Sequence, residues 1–384
     1  MLHSLYAHLW SIQDRGLDAF TDDLGRAGLN AVSYAATYHA VRQLMPANPA
    51  RHIFYSPRSH AYFLPRAHYG RLAPQPSPLL GGCDPVADLG SVLGVRGMRL
   101  KAWVIGCHNS DLACAHPDLA VRNALGSPLP HYLCPAQPEV QEYLTVLLSD
   151  LAGHGDIHAL ELESFGYAAG FEHGAHHEMS GLPRDAFHSR LLALCFCPAC
   201  QVAAAARGID AAGVSAAIRA ELVRWMETPA WQLGDAVPRM GAAAAAFSAA
   251  HPEFDTFLQV RRRIVHDLGV RLRETVRAAS PSTLLIDLGD GQAAANQDLL
   301  EWADGLVTPA DPQAVRSARE VLGPSAFIGC GIYPMAPDPM SPERLREAVT
   351  ACAASGCDGF NYYNHALMQG TTGEDIRRAI SALG

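Results

Sequence analysis

The stretch Ile157-His-Ala-Leu-Glu-Leu-Glu-Ser-Phe-Gly-Tyr167 decides how this chain is read. Its period is two. Leu160 and Leu162 fall on one side and Glu161 and Glu163 on the other, so as a strand it turns two carboxylates to a single face. Two acids on the buried face of a strand lose hydration and repel one another, which costs free energy unless polar or cationic groups meet them. The pair is therefore the first place to look for chemistry.

Working outward, short apolar segments recur with helical patterns between them, at 4–10, 31–36, 100–105, 159–163, 284–288, 305–308, 327–331 and 359–363. Eight such segments in βα alternation, closed by a helix near 374–383, predict an α/β protein of the (β/α)₈ or TIM barrel type. The spacing is uneven. A long helical insertion follows the fourth strand, with helical patterns at 201–224, 241–250 and 254–278. The expected organisation is one barrel domain over 1–384, with 164–250 an inserted loop and helical subdomain. The alanine run Ala242–Ala246 needs only its helix propensity to explain it. No Gly-x-Gly-x-x-Gly follows the first strand, which argues against a dinucleotide site. The segment between strands two and three carries Arg51-His-Ile-Phe-Tyr-Ser-Pro-Arg-Ser-His-Ala-Tyr-Phe-Leu-Pro65. It reads either as a functional loop over the barrel mouth or as a loop held down by its aromatics.

Composition narrows the class. Hydrophobic residues make up 49% and charged residues 17%, as in globular proteins, and no apolar run reaches membrane-spanning length. A net charge of −9 argues against a nucleic-acid surface, and Arg261-Arg262-Arg263 reads as a solvated helix face. The opening Met1-Leu-His-Ser-Leu-Tyr-Ala-His-Leu-Trp10 lacks the features of a signal peptide and reads as a first strand, so a cytoplasmic location is expected. The 10 cysteines are then thiols or metal ligands and not a disulfide framework.

Cys195-Phe-Cys-Pro-Ala-Cys200 has the C-x-C-x-x-C spacing that converges thiols on a tetrahedral Zn²⁺ site. The candidate fourth ligand is Cys134, in His131-Tyr-Leu-Cys-Pro-Ala-Gln-Pro138. Four thiolates would make a closed structural site, and reduced, metal-free thiols are the other reading. No organic cofactor is expected. The succession of His131-Tyr-Leu-Cys-Pro-x-x-Pro, a helix, the strand ending at Glu163 and then C-x-C-x-x-C resembles the family 42 glycoside hydrolases, which are β-galactosidases, and uncharacterised glycosidase-like barrels. Trp103-Val-Ile-Gly-Cys-His-Asn109 and His116-Pro-Asp-Leu-Ala120 fit the same pattern, and the resemblance spans about residues 98–210. It implies a zinc ion on Cys134, Cys195, Cys197 and Cys200. The chain departs from that family in two places. Glu163-Ser164 stands where the β-galactosidases carry Asn-Glu, and Phe327-Ile-Gly-Cys-Gly-Ile-Tyr333 has no carboxylate for a strand-seven nucleophile.

Glycoside cleavage needs two carboxyl groups flanking the bond, and barrel sites lie at the C-terminal ends of strands. The catalytic candidates are Glu163 and, on strand five, Asp287, whose Ile286 and Leu288 neighbours suggest a polar side chain turned to the lumen. Asp287 could instead cap its Gly-Asp-Gly turn. Glu161 lies one layer deeper, as a substrate contact or as the partner of Lys101 in a structural ion pair. His8, Trp10, Tyr38, His39, His108, Asn109, Tyr167, Tyr333, Tyr363, Asn364 and His365 gather near strand ends, a mixture of aromatic and hydrogen-bonding groups that suits a sugar. Glu172, His173, His176, His177 and Glu178 follow in the loop after Glu163, as substrate contacts or solvated residues. The leading expectation is a glycosidase acting on a small glycoside or oligosaccharide. A metal-dependent lyase, isomerase or aldolase and a non-catalytic carbohydrate-binding barrel are the alternatives. The expected partner is a small carbohydrate, with no nucleic acid and no membrane, and a homo-oligomer is left open.

Overall fold

Runs such as Leu-Lys-Ala-Trp-Val-Ile at 100–105 are apolar on both faces, as strands covered on both sides must be, and every one of those residues is buried. The structure, a computed structural model, describes residues 1–171, 181–182, 186–233, 240–289, 298–335 and 339–383. Eight parallel strands close into a barrel: β1 (Leu2–Ala7), β2 (Ala31–Ala35), β3 (Arg99–Ile105), β4 (Ile157–Glu163), β5 (Leu284–Asp287), β6 (Gly305–Pro309), β7 (Phe327–Ile332) and β8 (Gly359–Tyr362). Each pairs with its neighbours in sequence, and β8 returns to β1. The expected TIM barrel is the fold observed.

The first strand is earlier than expected. It ends at Ala7, and Leu9–Arg15 is a helix, so Trp10 lies on that helix. An apolar run of this length is compatible with a strand or a buried helix, and periodicity alone does not separate them. Between β2 and β3 the chain makes a two-stranded hairpin, Val41–Leu44 with Ile53–Ser56. After β4 come helices Ala186–Leu192, Pro198–Ala205, Ala211–Glu227, Met240–Ala250 and Pro252–Ala279. Phe187, Ile218, Leu222, Trp225, Phe254 and Phe257 form an apolar cluster of their own there, apart from the barrel core. Among the described residues no helix is long and apolar enough to cross a membrane.

Register fixes what the lumen holds. Paired residues in a parallel sheet share a face. Glu161 stands opposite Trp103, Ala159 opposite Lys101, and Tyr6 opposite Ser33, which in turn pairs with Lys101. The lower lumen is filled by Phe327, for which one glycine on β8 and one on β7 itself make room. A Cβ at Gly359 would stand 3.2 Å from Phe327 Cζ and one at Gly329 3.2 Å from Cε1.

Candidate functional site

Two layers of polar side chains occupy the upper lumen. In the deeper one, Lys101 Nζ donates to Glu161 Oε1 at 2.5 Å and to Asn361 Oδ1 at 2.7 Å, while Asn361 Nδ2 donates to Glu161 Oε1 at 2.7 Å and to the Tyr6 hydroxyl at 3.0 Å. Lys101, Glu161 and Asn361 are buried. Burial pushes the Lys101 ammonium below the usual lysine range, against the pull of Glu161. Glu161, a substrate-contact candidate from the sequence, is thus sealed inside the barrel, and the Lys101 ion pair is formed.

One layer up, Glu163 is half-buried at the mouth. Trp103 Nε1 donates to Glu163 Oε2 at 2.6 Å. The Trp103 ring meets those of Tyr6, Tyr38 and Tyr363 edge-on, with centroids 4.8, 5.0 and 6.1 Å away. Tyr333, exposed at the rim, lies 5.1 Å from Tyr363, and the hydroxyls of Tyr38 and Tyr363 are 3.5 Å apart. Burial holds the phenols of Tyr6, Tyr38 and Tyr363 above the ordinary tyrosine range, and the nearby Glu163 carboxylate adds to the effect, so they remain protonated donors at neutral pH. The backbone turns sharply beyond Glu163. Ser164 has φ 59°, a left-handed conformation disfavoured outside glycine, and it is held by the Cys107 amide, which donates to the Ser164 carbonyl at 2.7 Å.

The structure brings Tyr38, Tyr333 and Tyr363 together around Glu163 and places other candidates elsewhere. Asp287 stands opposite Leu162, so strand parity turns it to the face away from Glu161 and Glu163. Its Oδ1 accepts from the Gly289 amide at 3.0 Å, the turn-capping arrangement. Trp10 is fully buried, stacked on Phe54 at 4.1 Å and donating to Gln43 Oε1 at 3.0 Å. His8 is buried between Trp10, Tyr38 and Trp103, and burial pushes its pKa down to about 3, so the imidazole is neutral. Asn109 and Asn364 are caps, accepting from the amides of Leu112 and Ala366 at 3.0 Å. His39 stacks on His108 at 4.6 Å, and its Nδ1 bonds the Ala40 carbonyl at 2.8 Å. His365 meets Phe20 edge-on and lines a cavity of about 440 Å³ outside the barrel wall, between helices Leu17–Arg26 and Thr372–Ser381. That cavity is large, yet it lies away from the polar mouth. Glu172, His173, His176, His177 and Glu178 lie outside the described residues.

Sequence reasoning missed Tyr6 as a site residue, and it quoted Trp103 without giving it a role. The signal for Tyr6 was present, because it has the parity of Ser4 on β1 and of His8 just beyond it.

Solved structures similar to this chain include a fucosidase, a beta-galactosidase and a beta-amylase. The alpha-L-fucosidase isoenzyme 2 from Paenibacillus thiaminolyticus superposes with a TM-score of 0.62 at 14% identity, over 99% of this chain and 49% of that one. A beta-galactosidase from Bacillus circulans sp. alkalophilus gives 0.54 at 12%, over 95% and 50%. The catalytic domain of a beta-amylase from Paenibacillus polymyxa gives 0.55 at 10%, over 99% and 98%. The fold these structures share with the chain is the closed (β/α)₈ barrel. The chain spans about half the length of the fucosidase and the galactosidase. No protein-family model matches the chain, and no curated protein does.

The cysteine cluster lies beside β4. Cys134 directly follows the strand Pro128–Leu133, Cys197 is the N-cap of helix Pro198–Ala205, Cys195 precedes it and Cys200 lies in the first turn of that helix. All four are buried. Cys134 Sγ is 3.6 Å from each of the other three sulfurs, and the four lie within 4.8 Å of one another. Four sulfurs bound tetrahedrally at ~2.3 Å from one centre stand about 3.8 Å apart, so the set is able to hold a metal ion. Hydrogen bonding with Cys134, Cys195 and Cys200 holds the Cys197 thiol below the usual range. The Arg122 amide donates to Cys195 Sγ at 3.3 Å. Tyr167, expected at the sugar, belongs here instead. Its hydroxyl is 3.3 Å from Cys200 Sγ, and the Arg261 guanidinium lies 4.1 Å over its ring.

Proposed function

We propose that the chain is a glycosidase that binds a small glycoside or oligosaccharide at the barrel mouth, with Glu163 as the carboxyl group that exchanges a proton with the glycosidic oxygen. The observation that carries this reading is the surrounding of Glu163: a carboxylate at a C-terminal strand end, hydrogen-bonded by Trp103 and ringed by Tyr6, Tyr38, Tyr333 and Tyr363. Aromatic rings pack on sugar C–H faces and phenols hydrogen-bond to hydroxyls. The glycoside hydrolase neighbours support the same substrate class.

A panel of aryl glycosides tests it. Glu163→Gln should reduce turnover by about 10²- to 10⁴-fold, the usual share of general acid–base catalysis. Asp287→Asn should leave turnover unchanged, because register separates it from Glu163; a matching loss would restore it as the second acid. A non-catalytic carbohydrate-binding barrel is favoured by one observation. Gly331 stands opposite Asn361 on the lumen face of β7, where a nucleophilic carboxylate would otherwise project. Sugar binding without turnover by the wild-type protein would decide for that reading.

The metal we assign to the four cysteines is zinc, in a structural role that ties the Pro128–Leu133 strand to helix Pro198–Ala205. Metal analysis should find one zinc per chain, lost in Cys197→Ser together with thermal stability. The cytoplasm is the compartment we propose, since none of the 10 cysteines forms a disulfide.

A further inference from the structure

We propose that Tyr6 is a hydrogen-bond donor to a neutral ligand oxygen beside Glu163, and that Lys101, Glu161 and Asn361 are positioning residues that fix the direction of its hydroxyl proton. The carbohydrate reading above supplies the identity of the ligand; the direction of the proton rests on the buried network alone.

The argument begins with a group that can only donate. An ammonium has three N–H bonds and no acceptor. Lys101 Nζ stands 2.7 Å from one end of the Asn361 amide, so that end is the carbonyl oxygen. Reversing the amide would set NH₂ against NH₃⁺ and the carbonyl against the Glu161 carboxylate, two repulsions in a site from which water is excluded. The NH₂ group therefore faces the other way, and its two protons go to Glu161 Oε1 at 2.7 Å and to the Tyr6 oxygen at 3.0 Å. Tyr6 is thus an acceptor toward Asn361, and its own proton must lie on the other side of the oxygen.

No acceptor for that proton is found among the described residues. Glu161 Oε2 is buried and unpartnered, yet it makes no hydrogen bond with Tyr6. The phenol stands among Trp103, Tyr363 and Tyr333, near enough to Glu163 for the carboxylate to oppose its ionisation. A donor in that place selects its partner. A ligand cation offers no lone pair, and an anionic oxygen would be repelled by Glu163. A hydroxyl or glycosidic oxygen can accept from Tyr6 while its own proton, where it has one, goes to the Glu163 carboxylate.

Two measurements test the assignment. The first needs no substrate. Neutron diffraction from deuterium-exchanged, ligand-free crystals should show the Asn361 ND₂ group facing Tyr6 and the Tyr6 deuterium directed away from it, toward the mouth. A deuterium aimed at Glu161 Oε2, or a reversed Asn361 amide, overturns the proposal. The second is kinetic. On the aryl glycoside that the wild type turns over best, Tyr6→Phe should lower kcat/KM by about three- to tenfold, as loss of one neutral hydrogen bond does, with a fold that is retained and a melting temperature lowered by a few degrees because Asn361 loses an acceptor. Asn361→Asp, whose carboxylate would capture the Tyr6 proton, should lower it similarly and add nothing in the Tyr6→Phe background. A Tyr6→Phe variant with wild-type kcat/KM overturns the proposal even if Asn361→Asp fails to fold. If the wild type turns over no glycoside, the glycosidase reading fails, and the neutron result still decides the direction of the Tyr6 proton.

Discussion

Glu161 and Glu163 are two residues apart on one strand and face the same way, yet they sit in opposite electrostatic situations. The deeper acid has a cation, Lys101, at 2.5 Å and an amide at 2.7 Å, and it is sealed from solvent. The upper acid is half-buried, accepts from an indole N–H at 2.6 Å and stands near a set of phenols. The difference teaches that a carboxylate's role is set by what neutralises it. A buried carboxylate locked in an ion pair is a poor proton carrier, whereas one at the mouth that accepts from an indole keeps its capacity to take and return a proton.

The comparison can be broken most forcefully from below. Lys101→Met leaves Glu161 as an unpaired buried acid and should cost about 3–5 kcal/mol of unfolding free energy, read by denaturant titration. The double variant Lys101→Met/Glu161→Leu should recover most of that. Glu163→Gln, by contrast, should change stability by less than about 1 kcal/mol while removing turnover, because the amide still accepts from Trp103. If both single variants lose stability equally, the two layers are not distinct.

A smaller effect sharpens the same boundary through pH. His8 has its folded pKa pushed down to about 3 by burial, whereas its unfolded value is near 6.5. Between those values the unfolded chain binds more protons, so the stability this residue contributes is present above pH 6.5 and is lost as pH falls. From pH 7 to pH 5 the loss is about 2 kcal/mol, and His8→Phe should remove that part of the pH dependence. The smallest expected effect is that of Asp287→Asn. An amide oxygen can still accept from Gly289, so stability should change by less than about 1 kcal/mol. A large loss would mean that Asp287 carries a charge the site needs.

Much of this was legible in the chain. Period-two alternation at 157–163 identified the acid face, βα alternation identified the barrel, and C-x-C-x-x-C with Cys134 identified the thiol cluster, because each is local or repetitive. The errors have physical causes. Ile286-Asp287-Leu288 does alternate, but alternation does not say which face is the lumen, and pairing with β4 turned Asp287 outward. Trp10 sits in an apolar run that suits a strand or a buried helix equally. Asn109 and Asn364 do what asparagine commonly does at helix starts, a local preference that could have been weighed against a sugar. Tyr167 lies four positions beyond Glu163, yet its ring turns to Cys200.

The sequence by itself determined the element types, the shared face of Glu161 and Glu163, and the cysteine spacing, since these depend on neighbours within a few residues. Only the tertiary structure decided that Lys101 and Asn361 neutralise one acid while Trp103 and four tyrosines surround the other. Those partners come from β1, β3, the segment after β2 and the C-terminal ends of β7 and β8, and barrel closure and register alone gather them in two adjoining layers of the lumen.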